Sequence, residues 1–136
     1  MGNNSKPMIL VVDDEPDLVQ LVSLRLKIAG YDVMAAYDGQ EALDQVKRTR
    51  PDLIILDLML PKLDGYKVCR LLKFDERYKE IPVLIFTARA QEQDVKMAIE
   101  CGAEAYMMKP FEPKVFLDKL AELIQAAKQT SKGSSG

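Results

Sequence analysis

The chain has 136 residues, 48% of them hydrophobic, which is enough for one domain with a real core and too little for two. A formal net charge of -2 and a pI near 5.2 argue against an electrostatic nucleic-acid binder. No run of about 18 apolar residues exists to cross a membrane, and Met1 to Lys6 is too polar for a secretory signal.

The first run, Met8 to Val12, is continuous and apolar with no alternation, so it reads as a strand buried on both faces of a parallel sheet. Pro16 then suits a first helical turn, flanked by acidic Glu15 and Asp17. Leu18, Leu21, Val22, Leu26 and Ala29 keep helical spacing until Gly30 stops it. Tyr31 to Ala36 reads as a second strand and Asp38-Gly39 as a turn. Ala42, Leu43 and Val46 carry the next helix to about Arg50. Pro51-Asp52 opens a third strand whose apolar run, Leu53 to Leu56, ends on Asp57.

Leu58 to Gly65 is expected to be a loop, punctuated by Pro61 and Asp64-Gly65. Val68, Leu71 and Leu72 give a third helix its apolar stripe, and Val83 to Phe86 is a fourth strand followed by Thr87-Ala88. Gln91 to Cys101 reads as a fourth helix with Val95, Ala98 and Ile99 inward, and Ala105 to Met108 as a short fifth strand. A last helix starts at Glu112-Pro113 and carries Phe116, Leu120, Leu123, Ile124 and Ala127. The domain therefore spans 7–127. Residues 1–6 and 128–136 read as flexible termini, the latter as linker or cloning residue.

Five strands alternating with five helices make a doubly wound α/β fold with a five-stranded parallel sheet. In such a sheet all strands point one way, so residues just past their ends share one rim. Asp13-Asp14, Asp57, Thr87 and Lys109 each follow an apolar run and should meet there. Clustered carboxylates repel one another, and a divalent metal relieves that. Magnesium prefers carboxylate oxygens and phosphate. With Asp57 as nucleophile and Lys109 offsetting phosphoryl charge, the set is the inventory for phosphoryl transfer to a carboxylate. The chain has no histidine, which excludes serine-histidine and cysteine-histidine nucleophile pairs and an internal phosphohistidine. Any phosphoryl donor is external. Cys69 and Cys101, with no CxxC and no histidine beside them, read as reduced packing residues rather than a zinc site.

Four stretches carry a family resemblance: Ile9 to Pro16 (ILVVDDEP), Asp57 to Gly65 (DLMLPKLDG), Phe86-Thr87-Ala88 and Lys109-Pro110-Phe111. Together and in this order, the chain resembles the receiver domain of two-component response regulators over roughly Pro7 to Ala127. The resemblance implies a flavodoxin-like sheet of order 2-1-3-4-5. It implies Asp57 as phosphoacceptor, Asp13 and Asp14 as the pair holding Mg²⁺, and Met59 as donor of a backbone carbonyl to the metal. Thr87 matches the hydroxyl that moves toward the phosphoryl group, Lys109 the phosphate-pairing lysine, Tyr106 the aromatic switch, and Lys109-Pro110 a cis peptide. Met59 and Arg89 fall where the family flanks the path of the attacking water.

The expected function is a phosphorylation-activated signalling switch that catalyses only its own phosphorylation and dephosphorylation. The implied donor is a sensor histidine kinase, a histidine phosphotransfer protein or a small acyl phosphate. Output would pass to an attached domain or a target protein through the fourth helix, fifth strand and fifth helix. The expectation includes a cytoplasmic location, no direct nucleic-acid binding, no membrane, and a monomer or phosphorylation-linked dimer. Two rivals are a phosphorylation-independent interaction module, against which the intact Asp57, Thr87 and Lys109 speak, and a flavin binder. The acidic Asp13-Asp14-Glu15 loop would repel a flavin phosphate.

Overall fold

Five apolar runs become the strands of one parallel sheet. A computed structural model describes residues 6–88 and 91–135, with side chains described as far as residue 129. The expectations for Met1 to Ser5, for Arg89 and for the terminal Gly136 lie outside the described residues. The elements are β1 (Met8–Val12), α1 (Pro16–Ile28), β2 (Asp32–Ala36), α2 (Gly39–Arg48), β3 (Leu53–Leu56), α3 (Gly65–Lys73), β4 (Val83–Thr87), α4 (Glu92–Glu100), β5 (Ala105–Met108) and α5 (Pro113–Ser135). The sheet order is β2-β1-β3-β4-β5, all neighbours parallel, as the resemblance implies.

The period of two along each strand divides the core into two layers. Ile9, Val11, Leu53, Ile55, Leu84 and Phe86 face α1 and α5, meeting Val22, Leu26, Phe116 and Leu120. Leu10, Val12, Ile54, Leu56, Val83 and Ile85 face α2, α3 and α4, meeting Val46, Val68, Leu72 and Ala98. Every residue of β3 and β4 is buried, which is why their sequences show no alternation. The outer strands β2 and β5 are only partly buried.

Several helix positions differ from the sequence reading. Leu21, Leu71 and Ile99 are 47%, 53% and 70% exposed, whereas Val19, Cys69 and Asp94 are buried. Each helix buries residues three or four apart around its true contact line: Val19, Val22 and Leu26 on α1, and Asp94 and Ala98 on α4. An apolar neighbour one position off that line points to solvent. The last helix also runs on to Ser135 rather than stopping near Ala127. Ala126-Ala127-Lys128-Gln129 are good helix formers, and no proline interrupts them.

Candidate functional site

The sheet brings the site together by extending its ladders one residue past the strands. The Asp13 amide donates to the Ala36 carbonyl at 3.1 Å, and the Asp57 amide to the Val12 carbonyl at 3.0 Å. The Lys109 amide donates to the Thr87 carbonyl at 2.9 Å. Three strand ends are thereby held in register, with Val12 opposite Leu56 between them. Asp13 and Asp57 flank the gap where the chain reverses its order across the sheet, the position at which open α/β sheets place their ligands.

A further contact sets the depth of the rim. An added Cβ on Gly65 would lie 2.2 Å from the Asp57 carbonyl oxygen. Only a glycine lets the start of α3 approach the acidic loop so closely. Asp64 caps that helix, its carboxylate accepting from the Lys67 amide at 3.0 Å.

The side chains converge. One carboxylate oxygen each from Asp13, Asp14 and Asp57 lie within 4.8 Å of one another. Asp13 and Asp57 are buried, while Asp14 is exposed to solvent. The Lys109 ammonium reaches Asp13 Oδ2 at 2.6 Å, Asp57 Oδ2 at 3.3 Å and Glu15 Oε1 at 3.8 Å. Three carboxylates thus share one ammonium, with Asp14 beside them, an excess of negative charge that a hard dication fits. Burial pulls the Lys109 pKa down, but the Asp13 hydrogen bond and the charges of Asp57 and Asp13 outweigh it, so it lies above its ordinary value of 10.5. The other carboxylate oxygens are held by backbone amides. Asp13 Oδ1 accepts from the Glu15 amide at 3.0 Å, and Asp57 Oδ1 from the Met59 amide at 3.3 Å.

Thr87 is fully buried at the end of β4, opposite Met108. Tyr106 lies opposite Ile85, so Thr87 and Tyr106 are diagonal neighbours on the same face of the sheet. That face packs on α3 and α4, where Tyr106 meets the core. The Lys109–Pro110 peptide is cis. Beyond it Phe111 packs on Phe86 and Phe116 at centroid distances of 6.0 and 5.1 Å, and the Lys109 ammonium sits 5.8 Å from the Phe86 ring.

Two contacts were not foreseen. Glu15 joins Lys109; the acidic run after β1 could have suggested it. The Tyr66 hydroxyl donates to Asp94 Oδ1 at 3.2 Å, tying α3 to the first turn of α4. Nothing in the local pattern links two residues 28 positions apart.

An open, doubly wound sheet whose acidic rim shares the ammonium of Lys109 defines a class of small α/β domain. The model of the response regulator receiver domain family matches residues 9–121, and the chain belongs to that family. It is therefore a signalling domain of two-component systems. RpaA, the DNA-binding dual master transcriptional regulator of Synechocystis sp., is 45% identical over 119 residues, 88% of this chain and 49% of its own. PhoP, the alkaline phosphatase synthesis transcriptional regulatory protein of Bacillus subtilis, is 48% identical over 106 residues, covering 78% and 43% of the two chains. The chemotaxis protein CheY4 of Vibrio cholerae superposes with a TM-score of 0.82 at 32% identity, covering 88% and 99%.

The chain spans about half the length of RpaA, at 49%. The expectation of no direct nucleic-acid binding by this chain is corrected by its relatives, since RpaA is DNA-binding by name, although the chain covers only the receiver part of it. The acidic balance read from the sequence is a property of the receiver domain alone. No helix among the described residues is long and apolar enough to cross a membrane.

Proposed function

We propose that Asp57 accepts a phosphoryl group from the phosphohistidine of a sensor kinase or from a small acyl phosphate, and that the unit over residues 7–127 switches on that change. The observation that carries this reading is the convergence of three carboxylates within 4.8 Å, two of them sharing the Lys109 ammonium. An ionised Asp57 oxygen attacks phosphorus. A P–O bond forms, the bond from phosphorus to the donor nitrogen or oxygen breaks, and the electron pair leaves with the donor. Lys109 stands 3.3 Å from the nucleophile and can turn to the phosphoryl oxygens as charge builds on them.

Asp13, Asp14, Asp57 and the Met59 carbonyl would hold a magnesium ion, an all-oxygen set that suits it. Bound there, magnesium supplies charge neutralisation for an incoming anion that the carboxylates would otherwise repel. Thr87 offers a hydroxyl at the rim, and Tyr106 a ring on the same face. In this reading, movement of the hydroxyl toward the phosphoryl group changes the space beside the ring. The surface of α4, β5 and α5 would carry the change outward, and Met59 would line the approach of the hydrolytic water.

The test is intact mass after incubation with acetyl phosphate and Mg²⁺. One added phosphoryl group is expected, lost in an Asp57→Asn variant and in chelator. Full modification of that variant would sink the assignment.

A further inference from the structure

Cys69 and Cys101 are both free thiols and both buried, one on the inner face of α3 and the other capping the C-terminus of α4. The Cys69 thiol donates to the Cys101 carbonyl at 3.4 Å across a sequence separation of 32, which sets its sulfur against Cys101, and the two side chains interact electrostatically. The Cys101 thiol in turn donates to the Ala98 carbonyl at 3.1 Å. No other part of the described core pairs two nucleophilic side chains, and the phosphoryl site uses neither.

The pair is reached from outside. A groove of about 290 Å³ between α3 and α4 is lined by Tyr66, Arg70, Met97, Glu100 and Cys101. Cys101 therefore forms part of its wall, while Cys69 lies behind it with no exposed surface. A small uncharged oxidant can enter such a groove where a protein cannot. The Cys69 side chain lowers the Cys101 pKa against the effect of burial, and hydrogen bonds from backbone N–H groups and the charge of Arg70 lower it further. The same pairing, together with burial, pushes the Cys69 thiol up. One thiol is thus the better nucleophile and the other a resolving partner already in contact with it.

We propose that Cys69 and Cys101 form a reversible disulfide on exposure to a peroxide, making a redox-sensitive cross-link between α3 and the end of α4. The Cys101 thiolate attacks one peroxide oxygen, the O–O bond breaks, and hydroxide leaves, giving a sulfenic acid. The Cys69 sulfur then attacks the Cys101 sulfur, the S–O bond breaks, and water departs with the Cys69 proton. Two thiols are oxidised by two electrons and one hydrogen peroxide is reduced to two waters. A dithiol reductant reverses the reaction.

The whole chain would be treated with hydrogen peroxide, denatured, and alkylated before intact-mass and peptide analysis. The expected product is lighter by two hydrogen atoms, takes up no alkylating agent, yields a peptide joining residues 69 and 101, and reverts with dithiothreitol. In a Cys69→Ala variant, dimedone should capture a sulfenic acid on Cys101. The oxidised parent should also unfold at a higher guanidinium concentration than the reduced form. Two alkylated thiols after peroxide, a bridge between two chains, or irreversible over-oxidation without a bridge would each overturn the proposal. So would an unfolding midpoint unchanged by oxidation.

Discussion

Lys109 holds the rim together, because its ammonium is shared by Asp13 and Asp57 while both carboxylates are nearly excluded from solvent. Truncation in Lys109→Ala leaves those charges facing one another, a loss of about 3–5 kcal/mol by the cost of breaking a buried pair. Chemical denaturation without added metal should show it, and Mg²⁺ should recover more stability in the variant than in the parent. A variant as stable as the parent would mean that the carboxylates repel little. Gly65 acts differently, through backbone rather than charge. Gly65→Ala pushes a methyl group against the Asp57 carbonyl, so we expect a stability loss of about 2 kcal/mol and slower uptake of phosphoryl groups from acetyl phosphate. Normal stability and rate together would show that the loop gives way freely.

The elements show why part of the chain was legible and part was not. β3 and β4 could be read from unbroken apolar runs because they are buried on both faces, and Asp57 and Thr87 could be placed because they follow those runs. Facing of the helices was less legible. A short amphipathic helix offers two or three apolar stripes, and only the packing partner decides among them. Ile99 fits the helical period on α4 yet points to solvent, while acidic Asp94 is buried beneath Tyr66. Two pairs read as turns, Asp38-Gly39 and Asp64-Gly65, are instead helix starts with the aspartate as cap. Asp38 closes the start of α2 by accepting from the Glu41 amide at 2.8 Å, and that hydrogen bond, with Lys62 nearby, lowers its pKa below the ordinary 3.8. The sign follows from linkage: a depressed carboxyl contributes stability above pH 3.8 and loses it as pH falls through the folded-state value. Asp38→Ala should therefore lower the thermal midpoint at neutral pH, by a margin that shrinks in acid. An equal margin at both ends of the pH range would assign the effect to something other than the ionised cap.

At the scale of the whole molecule, the acidic rim is a local instability tolerated by a core buried on both faces of the sheet. A ligand that binds only the folded chain raises its stability by mass action, about 2.7 kcal/mol at a hundredfold excess over its dissociation constant. Titration with Mg²⁺ should therefore raise the unfolding midpoint in a saturating way, and Asp13→Asn combined with Asp14→Asn should abolish the rise. A midpoint indifferent to Mg²⁺ in the parent would remove the metal from the account. Sequence alone brought these residues to one rim only through the rule that parallel strands end together. The ammonium's hold on two carboxylates depends on side-chain reach, which no spacing encodes.

The pair formed by Asp13 and Lys109 closes over 96 positions at 2.6 Å. All five strands precede Lys109 in the chain and must find their order before those two atoms meet. A chain that stops short of Lys109 carries Asp57 without the ammonium that pairs with it. The ion pairs of the rim therefore form only on a completed five-stranded sheet, and a product truncated before Lys109 keeps the clustered carboxylates without the cation that offsets them.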